Sequence, residues 1–395
     1  MGLRALGGVL ALLLLVVLVL RFRRKLLTRA EVLMVLPLIF TSVAAALQPR
    51  WFDIVLIPLG LHPGGQRRLV GVLVFSVIFL VLLVLWIFMK LDTLSRELAN
   101  NVDRAALRRF QQEHPSALSG QCAVIIPSFN EAQNLPGVLR NMPQSVGGIP
   151  VQAVVVADGC TDGTEAVARS MGALVIERDI RRGQGAGIRL GYLAALRNDA
   201  QVLLTMDADG QHDPKEMHTL VAPLLDGRAE MVQGSRVLGS SNVESISRAT
   251  GVKLFARVLT RISKTKITDP SNGYRAVLPQ VLARLDLRQD QFFVSELIVD
   301  ALHKGVRLVE VPITVHRREH GTSKKGGTLR YGWGFTRTLG LTWLRQRIRQ
   351  GPDLIHPRWL ADHEMRVETF NPVPMTEPML PRDRVSSSMS PEDRL

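Results

Sequence analysis

The apolar residues of the chain are concentrated in its first ninety positions. Three apolar runs cover residues 5–20, 32–47 and 69–89, and the last of them is the clearest. A helix needs about 20 apolar residues to cross a bilayer, so the sequence predicts about three transmembrane spans within residues 1–90. A signal peptide is the competing interpretation of the first run. The basic cluster 21–25 follows that run at once, without a small-residue cleavage site, which favours an anchor.

Basic residues are unevenly shared between the two loops that join these runs. The loop 21–30 carries five of them and the loop 48–68 carries three. Because cytoplasmic loops carry the larger share of Lys and Arg, we predict that the N-terminus is outside and that everything after Met89 is cytoplasmic. The expected location is therefore the cell membrane, with several spans and a cytoplasmic C-terminal part.

Residues 91–119 are predicted to be a juxtamembrane helix followed by a linker. Between Leu91 and Phe110 apolar residues recur near the helical period among mixed charges. The sequence His114-Pro115-Ser116 then ends the helix, because a proline disfavours helical backbone in the residue before it.

From residue 120 onward, short apolar runs alternate with helical stretches. The predicted strands are 122–126, 151–157, 173–177, 201–206 and 230–234. The predicted helices between them are 132–141, 163–172, 184–198 and 214–225. Such alternation is typical of an α/β fold, a mostly parallel sheet flanked by helices. Ligands of these sheets bind beyond the carboxyl ends of the strands.

Composition limits the class of protein. Of the 395 residues 46% are hydrophobic, and 49 Lys and Arg exceed 35 Asp and Glu to give a formal net charge of +14. This length accommodates about two or three folded units. The two cysteines, Cys122 and Cys160, are too few for a disulfide scaffold or a four-thiolate zinc site.

Acidic turns directly follow three of the predicted strands, at 127–131, 158–164 and 207–214. Carboxylates at neighbouring strand ends repel one another unless a cation or a donor-rich ligand is bound. Asp207 and Asp209 are two residues apart around a turn, so both can reach one Mg²⁺ or Mn²⁺ ion. The remaining positions of that ion suit the phosphate oxygens of a nucleotide diphosphate.

The acidic turns and the glycine-rich stretch 183–187 allow other interpretations. Capping of turns and helices is the alternative role for a carboxylate here, and we assign it to Asp162 and Asp213. A calcium-binding EF-hand is excluded because His218 occupies the position that requires glutamate. The glycines of 183–187 hint at a dinucleotide fingerprint, but they do not directly follow a strand. We interpret them as a loop that lets the backbone approach a ligand or the sheet.

The order of these motifs resembles the family 2 inverting glycosyltransferases, in particular the dolichyl- and polyprenyl-phosphate mannose and glucose synthases. The resemblance covers about residues 121–345. Its motifs are Pro-x-x-Asn-Glu at 127–131, Asp-Gly-x-x-Asp-Gly-Thr at 158–164, Gly-x-Gly at 183–185, Asp-Ala-Asp-Gly-Gln-His at 207–212, Gly-Ser-Arg at 234–236, Asp-Pro-Ser-Asn-Gly-Tyr-Arg at 269–275, Glu296, Glu-Val-Pro at 310–312 and the basic stretch 318–324. The first hundred residues also resemble a small multi-span domain that is joined to some of these enzymes.

The resemblance implies a GT-A fold over residues 120–327 and a GDP- or UDP-hexose donor carrying mannose or glucose. By motif position, the nucleotide pocket would be lined by Pro127, Phe129 and Glu131, with Val156 and Asp158 at the base and ribose. Ala157 stands where the family usually has a first aspartate, and Phe129 replaces a commonly seen tyrosine.

The same resemblance implies how the diphosphate is held. Asp207 and Asp209 would hold the metal, with Ala208 and Gln211 beside the phosphates. Arg236, Arg318 and Lys324 would neutralise phosphate charge, and Asp209, Arg318 and Lys324 are our candidate catalytic residues.

The acceptor is predicted to be a polyprenyl phosphate, whose oxygen is already ionised at neutral pH and needs no general base. Another lipid or a growing cell-envelope glycan is the alternative acceptor, and it would need a base such as Asp269 or Glu296. A third interpretation, from a different class, is a non-catalytic membrane scaffold with a decayed transferase fold.

Aromatic and basic residues interleave over residues 328–350, which predicts an amphipathic helix on anionic lipid. Nucleic-acid binding is the rival interpretation of such a stretch. The predicted membrane domain favours lipid, and we expect no nucleic-acid partner. Residues 351–395 are rich in proline and without regular periodicity, so we predict that they are disordered.

Overall fold

The computed structural model describes residues 65–242, 256–257, 259–261, 265–290, 293–318 and 358–361. The chain divides into two compact units, residues 1–97 and residues 98–395. Two of the predicted spans, 5–20 and 32–47, lie outside the described residues, as does the predicted interfacial helix 328–350.

The first described element is the helix α1, Gly65–Glu113, which contains the third predicted span, 69–89. Within the described ranges, no helix is long and apolar enough to cross a membrane. The helix ends directly before His114, as the proline after it predicts. Its C-terminal turns bury Leu107 and Phe110, whereas Leu91 and Leu94 are exposed.

The second unit is built on an eight-stranded sheet. In chain order the strands are β1 Cys122–Ser128, β2 Ser145–Val146, β3 Ile149–Asp158, β4 Leu174–Arg178, β5 Val202–Thr205, β6 Met231–Ser241, β7 Arg275–Val277 and β8 Leu308–Val315. The main spatial order is β4-β3-β1-β5-β7-β6-β8, and β2 pairs with the start of β3. The predicted α/β class is confirmed.

Helices connect and cover these strands. They are α2 Leu135–Arg140, α3 Thr164–Ser170, α4 Gln184–Arg197, α5 Met217–Leu225, α6 Pro279–Leu282, α7 Phe293–His303 and α8 Arg358–Ala361. The central strands are continuous runs of buried Val, Ile and Leu, because helices pack on both faces of a mostly parallel sheet.

The five predicted strands and the four predicted helices are found, and three further strands complete the sheet. The two-residue β2 and the three-residue β7 are too short to leave a periodic signal. The strand β7 runs antiparallel between β5 and β6. Its position brings residues 272–275 beside the carboxyl end of β5.

Part of the C-terminal segment differs from the disorder predicted for residues 351–395. Helix α8 buries Trp359 and Leu360, and the Trp359 Nε1 donates a hydrogen bond of 2.6 Å to the Leu285 carbonyl. Removing the large apolar side chains of Trp359 and Leu360 from water stabilises the packing of α8 against the domain.

Helix α4 approaches the sheet so closely that one of its residues must be glycine. A Cβ built on Gly191 would lie 2.3 Å from Ile125 Cγ2. We therefore expect Gly191→Ala to lower the free energy of unfolding by about 1–3 kcal/mol, because it overpacks the core. The measurement is the urea midpoint of the full-length protein in detergent.

Gly187, one turn earlier on α4, is the matched control. A Cβ there would meet its nearest atoms at 3.6 Å, which is ordinary contact. Gly187→Ala should thus raise stability by about 0.5–1 kcal/mol through helix propensity alone. Equal midpoints for the Gly191 variant and the parent would contradict this account of the helix packing.

Candidate active site

The three acidic turns of the sequence meet at one edge of the sheet. β1 pairs in parallel with β3 on one side and with β5 on the other, so their carboxyl ends are neighbours. The turns that follow these strands begin at Phe129, Gly159 and Met206. The predicted cluster of polar residues is therefore formed by three adjacent strand ends, where ligands of such sheets bind.

The turns after β1 and β3 are tied together by hydrogen bonds. Asn130 adopts φ +52°, and its Oδ1 accepts a hydrogen bond of 2.9 Å from the Thr161 N–H. The Glu131 N–H donates to Thr164 Oγ1 at 3.0 Å, and the Glu131 carboxylate accepts from Asn134 at 2.7 Å. These bonds hold Glu131 in the turn after β1, and its place in a nucleotide pocket stays a prediction.

The capping roles predicted for two aspartates are confirmed. Asp162 Oδ1 accepts from the Thr164 N–H at 3.0 Å, and Asp213 Oδ1 accepts from the Lys215 N–H at 2.9 Å. Partial burial opposes the charge of Asp162, but the hydrogen bonds from Thr164 and Ala132 outweigh it and hold its pKa below the usual value.

Phe129 carries a cation on its ring. The Arg181 guanidinium lies 3.7 Å from the ring centroid, a cation–π contact between the turn after β1 and the turn after β4. Pro127 and Val156 are register partners in β1 and β3, and both approach Gly187 of α4. Val156 is fully buried there, and its contact with a nucleotide base stays a prediction.

Asp158, at the end of β3, is engaged by the protein itself. Its carboxylate accepts the N–H groups of Arg182 at 2.9 Å and Gly183 at 2.6 Å. It also forms an ion pair of 2.8 Å with the buried Arg178. In the described structure Asp158 holds the loop 179–183, and its contact with a ribose or base stays a prediction.

The turn after β5 brings Asp207 and Asp209 together with Arg318. Asp207 Oδ1 accepts a hydrogen bond of 2.7 Å from Gln184 Nε2, at the start of α4. Asp209 Oδ1 accepts from the Gln211 N–H at 3.1 Å, and its Oδ2 pairs with Arg318 Nη2 at 2.6 Å. The buried Ala208 separates the two carboxylates.

The electrostatics of this pair suit a divalent cation. Burial raises the pKa of Asp209, and the charge of Asp207 raises it further, whereas Arg318 acts in the opposite direction. Two carboxylates close enough to disfavour each other's charge are stabilised by a shared cation, and their hard oxygens suit Mg²⁺ or Mn²⁺.

In the described ranges, no three His, Cys, Asp or Glu side chains are grouped so that they could hold a metal ion. An ion held by Asp207 and Asp209 would therefore need further oxygen ligands from outside this group. Mg²⁺ is commonly bound in this way, by one or two carboxylates plus the phosphates of a substrate. The residues present fit such an ion.

A layer of buried residues packs against Asp207, one of the two carboxylates. His212 Nδ1 accepts from the Asp207 N–H at 3.3 Å, and its ring stacks on Tyr274 at 4.8 Å. Burial lowers the pKa of His212, so it is neutral at physiological pH. Gly273 lies against the Asp207 carboxylate, where a Cβ would come within 2.8 Å of Oδ1.

Arg275 is the largest fully buried side chain of the described core. It donates to the Asn272 carbonyl at 2.9 Å, and burial lowers its pKa against the opposing effects of Tyr192 and Asp207. Its charge thus lies within electrostatic range of the predicted metal ligand. We did not predict a positioning role for this arginine, although it ends the conspicuous motif 269–275.

Gln211 and Arg236 are held by protein groups. Gln211 Nε2 donates to the His316 carbonyl at 3.2 Å, and the His316 N–H returns a bond of 2.8 Å to the Gln211 carbonyl. These bonds connect the end of β8, and with it Arg318, to the turn after β5.

Arg236 forms an ion pair of 2.6 Å with Asp269. The phosphate contacts of Gln211 and Arg236 stay predictions, and Lys324 lies outside the described residues.

The two candidate general bases are fully buried and already bonded. Asp269 is paired with Arg236, and it also accepts a bond from Ser271. Glu296 on α7 accepts the N–H groups of Arg288 and Gln289, each at 2.8 Å. Both carboxylates act as structural acceptors in this conformation, which disfavours the acceptor class that requires a base.

Residues 184–187, which we interpreted as part of a loop, form the first turn of α4, where the glycines allow a close approach of the backbone. Gly185 packs against residues 289–290, since a Cβ there would lie 2.7 Å from the Asp290 carbonyl. The neighbouring Gln184 reaches Asp207. This last contact could not be predicted from the sequence, because the two residues are far apart along the chain and do not belong to a shared motif.

Comparison with known proteins finds one matching family and several relatives. Residues 123–285 match the family described as Glycosyl transferase family 2. The polyprenol monophosphomannose synthase of Mycolicibacterium smegmatis is 32% identical over 220 residues, which are 52% of this chain and 81% of that protein. The undecaprenyl-phosphate mannosyltransferase of Micrococcus luteus is 31% identical over 217 residues, 51% of this chain and 86% of that one.

Among solved structures, the glucosyl-3-phosphoglycerate synthase of Mycobacterium tuberculosis, in complex with Mn²⁺, UDP and glucosyl-3-phosphoglycerate, is similar with a TM-score of 0.46. The two chains are 21% identical, and the match covers 60% of this chain and 83% of that one.

Proposed function

The chain belongs to glycosyl transferase family 2, and on that premise we propose that it transfers a hexose from a nucleotide-diphosphate sugar to a polyprenyl phosphate. The observation that carries the proposal is the ion pair of Asp209 with Arg318 at the carboxyl end of β5, with Asp207 close enough to raise the pKa of Asp209. The names of the relatives, a polyprenol monophosphomannose synthase and an undecaprenyl-phosphate mannosyltransferase, support the acceptor class.

The chemistry follows from the charge of the leaving group. As the bond between the sugar and the diphosphate breaks, negative charge grows on the diphosphate, and a divalent ion when bound stabilises that charge. Asp207 and Asp209 would hold the ion. Arg318 contributes a second, fixed positive charge beside them, with the planar donor geometry that suits phosphate oxygens.

A lipid phosphate acceptor fits the absence of an available base among the candidates. Its oxygen is ionised at neutral pH, so no side chain has to remove a proton before it attacks the sugar. Asp269 and Glu296 are bonded and buried, as described above. The identity of the hexose and the choice between GDP and UDP are left to experiment.

We also propose that residues 1–90 anchor the enzyme in the cell membrane with the catalytic domain on the cytoplasmic side. The support comes from the apolar runs, from the loop charges and from α1. Successive apolar residues of this helix are exposed on all of its sides, including Leu82, Leu83 and Leu85. A helix surface that is apolar all round is stable only when lipid or protein covers it.

The test uses the purified full-length protein in detergent. It is incubated with undecaprenyl phosphate, Mg²⁺ or Mn²⁺, and a panel of GDP- and UDP-linked mannose and glucose, and the lipids are analysed by mass spectrometry. We expect one donor to yield a hexosyl phosphate lipid that is labile to mild acid. Chelation with EDTA should abolish the product, and added Mg²⁺ or Mn²⁺ should restore it.

Two results would count against the proposal. If no donor of the panel yields a glycosylated polyprenyl phosphate while a different lipid or glycan is modified, the acceptor class is wrong. If transfer continues undiminished in EDTA, the metal role of Asp207 and Asp209 is wrong.

A further inference from the structure

A network of charged side chains, all buried or partly buried except that of Asp290, connects the C-terminal part of α1 to the loop that precedes α4. It contains three carboxylates, Asp103, Asp158 and Asp290, and three guanidinium groups, Arg178, Arg182 and Arg189. None of the sequence motifs includes Asp103. It is separated from its partners by more than seventy positions, and the helix that carries it precedes the whole sheet.

Asp103 accepts from two arginines at once. Its Oδ1 lies 3.0 Å from Arg178 Nη1, and its Oδ2 pairs with Arg182 Nη1. Arg182 also donates to the Ala99 carbonyl at 3.2 Å, one turn earlier on the same helix. The side chain of Arg178 has no solvent exposure, and that of Asp103 has 8%. Charges this deeply buried have to be paired.

The bond to Asp103 is the one that orients Arg178. In the part of the chain that the structure describes, the Nε and Nη2 atoms of Arg178 have no hydrogen-bond partner. Nη2 still lies 2.8 Å from Asp158 Oδ1, so that contact is an ion pair without hydrogen-bond alignment. Without Asp103, the Arg178 guanidinium would therefore lose its aligned acceptor and half of its compensating charge.

The same loop leads directly to the predicted metal ligands. Asp158 accepts the backbone N–H groups of Arg182 and Gly183, and the next residue, Gln184, donates to Asp207 Oδ1 at 2.7 Å. Asp290 contacts the opposite side of this loop. Its carboxylate pairs with Arg182 at 3.5 Å, and its backbone carbonyl accepts a hydrogen bond from the Gly185 N–H. A shift of Arg178 or Arg182 would therefore move Gln184 against Asp207.

We propose that Asp103 is a positioning residue of the donor site: by pairing with Arg178 and Arg182 it holds the loop 179–183, and through it Gln184, against Asp207. The inference rests on the proposed function in one respect, that Asp207 binds the metal of a nucleotide-sugar donor. If Asp103 has this role, helix α1, which precedes the catalytic domain, contributes to the geometry of the donor site.

The experiment compares Asp103→Asn with the parent in the full-length protein, using Mn²⁺ and nucleoside diphosphate binding by calorimetry together with kinetics. Groups that support metal ligands cost about 10–100-fold in affinity or activity when they are removed. We expect the Kd for GDP or UDP with Mn²⁺, and the KM for the donor, to rise by about 10-fold, with a smaller change in kcat. A merely structural role would lower the melting temperature and the active fraction, and would leave Kd and KM unchanged.

Asp92→Asn is the matched control, since Asp92 lies on the same helix and pairs with Arg96 at 2.6 Å in an exposed position. It should leave both constants unchanged. Asp103→Glu keeps the charge and is the milder variant in case the asparagine variant does not fold. We expect Asp103→Glu to raise the Kd by less than Asp103→Asn does. An unchanged Kd together with a lowered melting temperature in Asp103→Asn, or in Asp103→Glu if the asparagine variant does not fold, would overturn the proposal.

Failure of the proposed function would look different. Nucleotide binding requires no acceptor, so a parent protein that binds GDP or UDP with Mn²⁺ but glycosylates no polyprenyl phosphate would refute the acceptor assignment. The comparison between Asp103 and Asp92 variants would still decide the role of Asp103.

Discussion

Asp209→Asn is expected to reduce sugar transfer by about 100-fold or more while the protein stays folded. The variant removes one of the two carboxylates that can hold the divalent ion, and it removes the ion pair with Arg318. Asparagine keeps an oxygen that can accept from the Gln211 N–H, so the turn after β5 should persist. The measurement is the kcat for lipid glycosylation at saturating Mg²⁺, with the melting temperature recorded alongside.

The melting temperature of Asp209→Asn indicates whether Asp209 contributes to stability or to function. Burial and the neighbouring Asp207 raise the pKa of Asp209, which means that its charge is costly in the folded state. Removing that charge relieves the repulsion and offsets the lost pair with Arg318. We therefore expect a melting temperature close to that of the parent, the behaviour of a residue retained for function and not for stability.

Asp213→Asn is the control for the Asp209 variant. Asp213 belongs to the same acidic turn, but it accepts from the Lys215 N–H as a cap, and asparagine caps equally well. Its transfer rate should match the parent. Normal turnover by Asp209→Asn with metal present would refute the metal role of this pair.

Arg318→Gln should lower kcat by about 100-fold with a much smaller effect on Mn²⁺ affinity. The guanidinium stands beside Asp209, where it can stabilise the charge that develops on the leaving diphosphate. Arg318→Lys keeps the charge but loses the planar set of donors, so we expect partial activity. The measurements are single-turnover transfer rates and Mn²⁺ titrations of each variant.

The neighbouring Arg317 provides the matched control, because it is exposed whereas Arg318 is partly buried against the site. Arg317→Gln changes the net charge by the same amount and should keep nearly full activity. Equal losses in the two variants would mean that Arg318 acts only through general positive charge and not through its place beside Asp209.

The fold was predictable from the sequence as far as local patterns extend. Buried runs of β-branched residues and the turns between them predicted β1, β3, β4, β5 and β6, and the acidic residues that follow β1, β3 and β5 predicted the ligand-binding edge. The strand β6 extends to Ser241, beyond the predicted 230–234, because its last residues, Ser240 and Ser241, pair with Thr314 and Val315 of β8. A strand that relies on its neighbour for its hydrogen bonds leaves little hydrophobic signal.

The supporting residues of the site were harder to foresee. Gln184 contacts Asp207 only because α4 packs on β1 and β3, and Arg318 reaches Asp209 only because His316 bonds to the side-chain amide and the backbone carbonyl of Gln211. Asp269 and Glu296 seemed available as bases in the sequence, whereas the fold buries both as acceptors of hydrogen bonds. Such contacts depend on distances across the sheet, which no local pattern records.

The sequence by itself therefore determined the order of strands and helices, the edge at which the chemistry lies and the carboxylate pair suited to a divalent ion. These properties follow from periodicity and from the position of a residue at the end of a strand. Only the tertiary structure decided which groups hold that pair, because Gln184 meets Asp207, and Asp103 meets Arg178, across long separations in the chain. The pairing of Asp103 with Arg178 depends on burial, which removes water as a competing partner and makes each buried charge require another.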